Sequence, residues 1–564
     1  MTDRNVLTWM EDATAKYGSK TAYADENEQI SFAEISREAI NMGGGILAAV
    51  ESFSRQGQIF PTGTAADVTP IVVISGRNIH TITAYLGVVY SGHCYAPVDG
   101  SLPKERIVSI LSVCRPALVI CDSEHIEKIK PICNEMKLHV VCMEDLAGQL
   151  SENSTISELE SNDLCSCTMV KDRKTGVVRS CSDPLYIIFT SGSSGTPKGV
   201  ITGHESLMNY IEAYEDVMGI TAEDTLGNQS PLDYIAAIRD IYLPLLTGCS
   251  TFIIPKEYFM EPDKLFSCMT ERHVTAVGWS VSAFTVPIAL GALKPEAQED
   301  ESSSSNDYCE SGSAGVSRSI IKPEYLRKVC FSGSVMPSRV LRLWQKALPE
   351  CRFVNQYGPT EATASCTYYP IDHVVSDDEV IPIGRPYKNY RVFLLGEDGD
   401  AVPVGTEGEI CVGGPVLALG YYGDLERTAK DFVQNPLNKS FDERIYKTGD
   451  YGVMRDDGIL EFHGRKDRQI KHMGHRVELD EIEHAAMNCE GVKECSSQYN
   501  ADKEVLYLFY AGNVTARDLI INLRESLPGF MVPRRVRQME ALPRLANGKI
   551  DLALIRKYIN KQVF

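Results

Sequence analysis

The stretch Asp183-Pro-Leu-Tyr-Ile-Ile-Phe-Thr190 leads directly into Ser191-Gly-Ser-Ser-Gly-Thr-Pro-Lys-Gly199. Its first part is apolar, aromatic and β-branched and ends at a Gly/Ser cluster, which predicts a buried strand that enters a loop. In the loop, glycines let the backbone approach a ligand, hydroxyls can donate to phosphate oxygens, and Lys198 adds a positive charge. The segment is therefore typical of a phosphate-binding loop, with a flexible connection as the alternative. It is not a Walker loop, because no Gly-Lys-Ser/Thr follows at the required offset.

On both sides of this loop, strand patterns alternate with helix patterns. After the loop, residues 205–218 carry apolar side chains at helical spacing. Before it, Pro70-Ile-Val-Val-Ile-Ser75 is typical of a strand, residues 81–90 of a helix, and Cys94-Tyr-Ala-Pro-Val98 of another strand. This alternation predicts an α/β fold with a largely parallel sheet covered by helices.

The C-terminal third has a different pattern. Short strands at 390–414 and a hairpin signal at Asp456-Asp-Gly458 predict an antiparallel subdomain. Further on, Asp480-Glu-Ile-Glu483 is typical of a capping box that opens a helix, residues 505–510 of a strand, and residues 515–527 of a second helix. The tail of about a hundred residues is therefore predicted to form a small α/β domain behind a hinge.

Composition excludes several classes of protein. With 564 residues, 43% of them hydrophobic and 23% charged, the chain is too long for one small binding module and can bury a large core. The net charge of -20 opposes broad binding to nucleic acid or to an anionic membrane. No apolar run reaches the length of a membrane span and no secretory signal is visible, so we expect a cytoplasmic protein without membrane insertion. The 17 scattered cysteines are expected to be reduced thiols, and the acidic, Ser-rich stretch at 296–319 a surface insertion.

Three further motifs could bind a nucleotide. Asn355-Gln-Tyr-Gly-Pro-Thr-Glu361 offers an aromatic ring for stacking on a base, and Thr360 and Glu361 offer oxygen ligands for Mg²⁺. In Tyr446-Lys-Thr-Gly-Asp450 a carboxylate beside a Gly turn can accept from both ribose hydroxyls, and Asn547-Gly-Lys-Ile-Asp551 places a lysine on a turn. Taken singly, each motif is also explained as an ordinary turn.

Together, and in this order, the four motifs resemble those of the adenylate-forming superfamily, which includes acyl-CoA synthetases, luciferases and the adenylation domains of nonribosomal peptide synthesis. The resemblance covers essentially the whole chain, and within the superfamily it is greatest to D-alanine–carrier protein ligases and amino-acid adenylation domains. The supporting segments are Tyr85-Leu-Gly-Val-Val-Tyr-Ser-Gly-His-Cys-Tyr-Ala-Pro-Val-Asp99, Asn228-Gln-Ser-Pro231, Asp240-Ile-Tyr242, Leu245-Leu-Thr-Gly248, Gly408-Glu-Ile-Cys-Val-Gly-Gly414, Gly420-Tyr-Tyr422, the run from Gly464 to Glu483, and Leu527-Pro-Gly-Phe-Met-Val-Pro533.

The resemblance implies a multi-subdomain α/β architecture. Residues 1–466 would form a large N-terminal adenylation core of parallel-sheet subdomains and a β-barrel-like subdomain. Residues 467–564 would form a small mobile C-terminal lid that turns about Asp467.

The resemblance also implies a reaction. With ATP and Mg²⁺, such an enzyme converts a small amino acid or related carboxylic acid into an acyl-adenylate and then transfers the acyl group to a pantetheine thiol. No Gly-Gly-x-Ser attachment site follows Lys549, so we expect the phosphopantetheinylated carrier protein to act in trans, the alternative being that this chain was excised from a longer synthetase that includes the carrier. An acyl- or aryl-CoA ligase and a non-catalytic nucleotide-binding protein are the alternatives.

The same resemblance assigns roles to individual residues. Lys549 would bridge the substrate carboxylate and the α-phosphate, Tyr357 would stack on adenine, Asp450 would bind the ribose, and His204 would line the acyl pocket. The catalytic set is Lys549, Glu361, Thr190, Lys198 and His204, and Glu361 and Thr360 would hold the metal. The nucleotide-binding set is Ser191, Gly192, Ser193, Ser194, Gly195, Thr196, Asn355, Gln356, Tyr357, Thr360, Asp450, Phe462, Arg465 and Lys471.

The expected substrate pocket departs from the pattern of α-amino-acid enzymes. In those enzymes an Asp holds the substrate ammonium, but here the matching position is Ile235, and Asp233 can substitute only if the backbone shifts. The predicted pocket residues are Asp233, Ile235, Gly278, Cys330, Ser332, Gln356, Ala364 and Ser365. Most are small, so the pocket can admit a bulky group if neighbouring side chains do not fill it. We therefore hypothesise an acid without an α-ammonium, such as a hydroxy, keto, β-amino or aryl acid.

Overall fold

The structure is a computed structural model that describes residues 5–55, 69–148, 181–192, 195–293, 321–501, 503–545 and 550–560. The Ser-rich stretch predicted as a surface insertion lies outside these residues. The helices are α1 (Val6–Tyr17), α2 (Phe32–Arg55), α3 (Ile79–Tyr90), α4 (Lys104–Cys114), α5 (Ile126–Glu135), α6 (Met143–Gly148), α7 (His204–Met218), α8 (Ala237–Thr247), α9 (Pro262–Glu271), α10 (Val281–Ala289), α11 (Ser338–Ala347), α12 (Leu425–Asp431), α13 (Leu479–Met487), α14 (Ala516–Ser526) and α15 (Leu552–Asn560).

The strands belong to five sheets. They are β1 (Thr21–Ala24), β2 (Gln29–Ser31), β3 (Ile71–Ser75), β4 (Tyr95–Asp99), β5 (Leu118–Cys121), β6 (Val140–Cys142), β7 (Pro184–Thr190), β8 (Lys198–Gly203), β9 (Thr225–Asn228), β10 (Ser250–Ile253), β11 (Ala276–Ser280), β12 (Lys328–Ser332), β13 (Arg352–Tyr357), β14 (Thr367–Pro370), β15 (Arg385–Pro386), β16 (Arg391–Leu395), β17 (Glu407–Gly413), β18 (Gly420–Tyr421), β19 (Phe432–Gln434), β20 (Arg444–Met454), β21 (Leu460–Arg465), β22 (Gln469–His472), β23 (His475–Glu478), β24 (Val492–Asn500), β25 (Val505–Gly512) and β26 (Arg535–Met539).

Two large mixed sheets form the body of the molecule. One has the order β18-β8-β7-β4-β3-β5-β6, and its strands from β7 to β6 pair in parallel. The other has the order β15-β14-β13-β12-β11-β9-β10-β1-β2, with parallel pairing from β13 to β1. Strands such as β3 and β7 are buried along nearly their whole length, because helices cover the sheets. The predicted α/β fold class is confirmed.

The predicted antiparallel subdomain is a five-stranded sheet. Strands β16, β17, β20 and β19 follow one another in antiparallel pairs, and β21 pairs with β20 through the hairpin predicted at 456–458. This sheet positions the end of β20 and the end of β21, each of which carries a predicted site residue.

The C-terminal part begins after β21. Asp467, the predicted hinge, lies between β21 and the two-stranded hairpin of β22 and β23, and α13, β24, β25, α14 and β26 follow. The predicted capping box is wrong in detail. Helix α13 already begins at Leu479, and the carboxylates of Asp480 and Glu483 accept from Arg468 and make no cap. Thr515 does cap α14, since its hydroxyl accepts from the backbone N–H of Asp518.

Two further features of the described residues concern the cysteines and the apolar character of the helices. Every cysteine in the described part of the chain is a free thiol, and most are buried. Among the same residues, no helix combines the length and the apolar character that crossing a membrane requires.

Candidate functional site

The predicted phosphate loop connects two antiparallel strands. Thr190, at the end of β7, pairs with Lys198, at the start of β8. The Lys198 side chain is buried, and its Nζ donates to Oε1 of Glu361 at 3.1 Å. The hydroxyl of Tyr421 donates to the same oxygen at 2.8 Å. The loop motif and the 355–361 motif therefore meet at one buried carboxylate, although 163 positions separate Lys198 from Glu361.

Arg476 on β23 completes this cluster. Its Nη1 donates to Oε1 of Glu361 at 3.0 Å and to Oε2 at 2.8 Å. Burial alone would raise the pKa of Glu361, but Arg476 and Lys198 hold that pKa well below its usual range. Burial, and then the charge of Arg476, lowers the pKa of Lys198 to about 8. Glu361 is therefore an anion that two cations share.

The groups around Glu361 determine whether its carboxylate can bind a metal ion. Carboxylate and hydroxyl oxygens suit Mg²⁺, and Thr360 stands next to Glu361 in a short 3₁₀ turn, Thr360–Ala362. In the arrangement described here, however, both oxygens of Glu361 accept from Arg476. The residues fit Mg²⁺ on condition that Arg476 moves away from Glu361.

The C-terminal part contacts the phosphate loop at three points. The hydroxyl of Ser191 donates to the carbonyl oxygen of Arg476 at 2.8 Å. The backbone N–H of Gly192 donates to Oε2 of Glu481 at 3.2 Å, and Oε1 of Glu481 forms a buried ion pair with Arg106 at 2.6 Å. A Cβ on Gly195 would come within 2.7 Å of the His484 ring. A carboxylate thus binds an N–H group of the loop, which is the place where a phosphate oxygen was expected.

The predicted nucleotide residues form a connected group. The Tyr357 hydroxyl donates to Oδ2 of Asp450 at 2.5 Å, and Nη1 of Arg465 donates to Oδ1 at 2.6 Å. The Phe462 ring lies 6.1 Å from the Tyr357 ring, and Nζ of Lys471 lies 5.8 Å from the same ring. Burial lowers the pKa of Lys471, which Asp450 partly opposes. Two aromatic rings, one carboxylate and two cations are thereby placed side by side.

The remaining residues of this set differ in their surroundings. The Asn355 side chain donates to the carbonyl oxygen of Pro382 at 2.7 Å, and both amide atoms of Gln356 are buried without a hydrogen-bond partner. The Thr190 hydroxyl is also buried without a partner, whereas Thr196 is exposed. Ser193, Ser194 and Lys549 lie outside the described residues. The neighbours of Lys549 are near the C-terminal sheet, where Arg544 bridges to Ile550 and pairs with Glu494.

One cavity joins this group to the expected acyl pocket. Among the predicted residues, those that line it are Ile235, Ser332, Thr360, Ala364, Ser365, Asp450, Arg465 and Lys471. Asp233 is not among the lining residues. Its Oδ2 accepts from the backbone N–H of Asp99 at 3.3 Å, and burial, followed by the charge of Asp99, raises its pKa to about 7. His204 does not line the cavity either, and its Nδ1 accepts from the backbone N–H of Val6 at 3.4 Å.

Sequence reasoning missed Arg239, which lines the same cavity. Arg239 is the third residue of α8 and is 1% exposed. Its Nη2 donates to the carbonyl oxygen of Gly278, and a Cβ on Gly278 would lie 2.4 Å from the guanidinium carbon. The guanidinium therefore occupies the space that the glycine leaves. The available signal was a charge inside an apolar helix, Ile238-Arg-Asp-Ile-Tyr242.

Arg476 and Glu481 were also not assigned, although both lie in the quoted run from Gly464 to Glu483. Their partners, Glu361 and the loop at 190–199, are far away along the chain. A charged residue in a motif gives no sign of which distant residue it contacts.

Known proteins resemble this chain over most of its length. The family model of the AMP-binding enzymes matches residues 10–422. D-alanine–D-alanyl carrier protein ligase of Lactiplantibacillus plantarum is 28% identical over 514 residues, which is 87% of this chain and 89% of that protein. Bacitracin synthase 1 of Bacillus licheniformis is 30% identical over 484 residues, or 85% of this chain, but this corresponds to only 8% of that much longer protein.

A solved structure shares the fold. The adenylation domain AlmE of Vibrio cholerae, in complex with glycyl-adenosine-5'-phosphate, superposes with a TM-score of 0.76 at 19% identity, and the alignment covers 99% of this chain and 98% of that one.

Proposed function

This chain belongs to the family of AMP-binding enzymes, and from that premise we propose that it activates a carboxylic acid with ATP and transfers the acyl group to a carrier protein. The first product would be an acyl-adenylate and the second a thioester on the phosphopantetheine arm of a separate carrier. The observation that carries this proposal is that one cavity is lined both by Asp450 and Arg465, which contact each other and, through Asp450, Tyr357, and by Ile235 of the expected acyl pocket.

The first half-reaction needs charge stabilisation more than proton transfer. The substrate carboxylate attacks the α-phosphorus of ATP, the bond to the pyrophosphate oxygen breaks, and pyrophosphate leaves. In our proposal Lys198 and the loop N–H groups bind the outer phosphates, and Lys549 bridges the attacking carboxylate and the α-phosphate. Asp450 accepts from the ribose hydroxyls, and Tyr357 stacks on adenine. Mg²⁺ on Thr360 and Glu361 would supply positive charge for the phosphate oxygens.

The contacts that Arg476 and Glu481 make with the N-terminal part fit thioester transfer better than they fit adenylate formation. Arg476 neutralises Glu361, and Glu481 accepts from the Gly192 N–H, so the loop presents fewer free donors to a triphosphate. We propose that residues 467–564 act as a lid which turns about Asp467 between two positions, one for each half-reaction.

The acid is proposed to lack an α-ammonium. Ile235 lines the cavity at the position expected for a counter-charge, and Asp233 is hydrogen-bonded to Asp99 and does not line it. A buried ammonium without a carboxylate would be costly. ATP–pyrophosphate exchange over a panel of acids tests this proposal, and selective exchange with D- or L-alanine would contradict it.

The identity of the thiol that accepts the acyl group is tested in a separate experiment. Thioester formation is measured with coenzyme A and with a phosphopantetheinylated carrier protein at equal concentrations. We expect the carrier to be loaded faster. Equal or faster reaction with coenzyme A would assign the chain to the acyl-CoA ligases instead. The free buried thiols support a cytoplasmic location for this reaction.

A further inference from the structure

The Arg239 guanidinium is buried, and one of its N–H donors lacks an acceptor. A guanidinium carries five N–H donors. Nη2 donates to the Gly278 carbonyl oxygen, and the guanidinium lies 5.3 Å from the Tyr214 ring. Nε has no acceptor within hydrogen-bond distance, since Oδ1 of its ion-pair partner Asp240 is 3.6 Å away. A buried N–H donor at a cavity wall is unfavourable unless a ligand supplies its acceptor.

Arg239 shares its carboxylate partner with a second guanidinium. Asp240, which pairs with Arg239, also accepts from the Asn228 side chain at 2.8 Å, and Asn228 in turn accepts from Arg77 at 2.7 Å. Arg77 donates further to backbone carbonyl oxygens, including those of Ser230 and Asn228. The Asp240 carboxylate is therefore divided between Arg239 and the Asn228–Arg77 contact.

The Tyr210 hydroxyl lies beside the same guanidinium. It is buried next to Arg239 and Ser365, which oppose the rise in its pKa that burial causes, and both of these residues line the cavity. Its oxygen makes no hydrogen bond of standard geometry within the described part of the chain. Because buried polar atoms in native proteins nearly always have partners, Nε of Arg239 and this hydroxyl favour a polar ligand at this position.

Resting on the function proposed above, we propose that the acid activated by this enzyme carries a second carboxylate, which the Arg239 guanidinium binds inside the acyl pocket. A guanidinium and a carboxylate match as two parallel N–H···O bonds, and a ligand carboxylate would supply the acceptor that Nε of Arg239 lacks. The apolar wall at Ile235 suits the methylene groups between the two carboxyls of a dicarboxylic acid. A neutral acid would leave the buried donors unpaired and would be discriminated against.

The test uses the full-length enzyme and matched pairs of acids. ATP–pyrophosphate exchange is measured with succinic, glutaric and adipic acids, each beside its monomethyl ester and the monoacid of equal chain length. We expect the best diacid to exceed its neutral partners in kcat/KM by at least roughly ten-fold, as for a hydrogen bond to a charged group. In Arg239→Gln this preference should disappear, with ATP binding retained.

A second variant guards against a folding defect. Gly278→Ala keeps the arginine but displaces its guanidinium, because the new Cβ would lie 2.4 Å from the guanidinium carbon. It should also lower the preference for diacids, with ATP binding unchanged. Equal rates for diacids and neutral acids in the wild type, or an unchanged preference in a variant that still binds ATP, would overturn the inference. If the wild type binds ATP but exchanges with no acid, the proposed function fails, and this inference with it.

Discussion

Glu361 is the residue on which the two halves of the site depend. One carboxylate that is fully buried accepts from Lys198, Tyr421 and Arg476. Breaking a buried ion pair by removing one partner costs about 3–5 kcal/mol, because the other partner stays buried and unpaired. We therefore expect Glu361→Gln to lower the midpoint of urea denaturation markedly and to abolish exchange.

The surface pair of Lys104 and Glu135 supplies the matched control. Its charged atoms are 3.7 Å apart and both side chains are exposed, so Glu135→Gln should change stability by no more than about 1 kcal/mol. Equal effects of the two substitutions would mean that the Glu361 cluster does not form in solution.

Lys198 predicts a pH dependence. Burial, followed by the charge of Arg476, lowers its pKa to about 8 from an ordinary value of 10.5. Between these two values the unfolded chain binds more protons, so this lysine makes the folded state more stable as pH rises through that window. The same change removes a positive charge from the phosphate loop. We expect kcat/KM for ATP to fall as pH rises above about 8.

In Lys198→Arg the fall of kcat/KM on the alkaline side of the pH profile should move to higher pH, because a guanidinium stays charged throughout this range. This shift is expected whatever the absolute rate of the variant. An alkaline limb at the same pH in both enzymes would assign the titration to a different group.

At the scale of elements, α13 contacts the loop between β7 and β8, where the proposed function places the phosphates of ATP. Glu481 accepts from the Gly192 N–H and pairs with Arg106. In Glu481→Gln the lid loses its charged contact with the loop. We expect a several-fold lower KM for ATP in the exchange reaction and slower transfer of the acyl group to the carrier, as measured from the same enzyme preparation.

Glu483→Gln is the control for this prediction. Glu483 lies on the same helix but contacts Arg468 and the backbone of Ser497, both within the C-terminal part. It should leave KM for ATP unchanged. An identical change in both variants would indicate general loosening of α13 and not competition at the loop.

Elements with a strong local pattern could be predicted from the sequence. The strand before the phosphate loop ends at Thr190 as expected, and the helix after it, α7, starts within one residue of the predicted position. The capping box at 480–483 was wrong because Arg468 attracts both carboxylates, which a local pattern does not reveal.

At the scale of the whole molecule, the features that sequence reasoning missed are contacts between distant segments. Arg106 and Glu481 are 375 positions apart, and 115 positions separate Glu361 from Arg476. Arg239 was overlooked for a related reason. Its burial depends on the glycine at 278 on a separate strand, and the adjacent charges of Arg239 and Asp240 in an apolar helix are equally compatible with solvent-facing side chains. Motif order predicted the family, but three-dimensional packing determines the pocket.

In the proposed reaction, the large N-terminal part binds the nucleotide and the C-terminal part supplies the activating lysine. The most direct measurement is acid-dependent exchange of pyrophosphate into ATP by the wild type, Lys549→Ala and the control Lys557→Ala, whose residue is exposed on α15. We predict exchange in the wild type and in Lys557→Ala, and a loss of at least roughly a hundred-fold in Lys549→Ala with ATP binding retained. Undiminished exchange in Lys549→Ala, or no exchange by the wild type with any acid, would contradict the account.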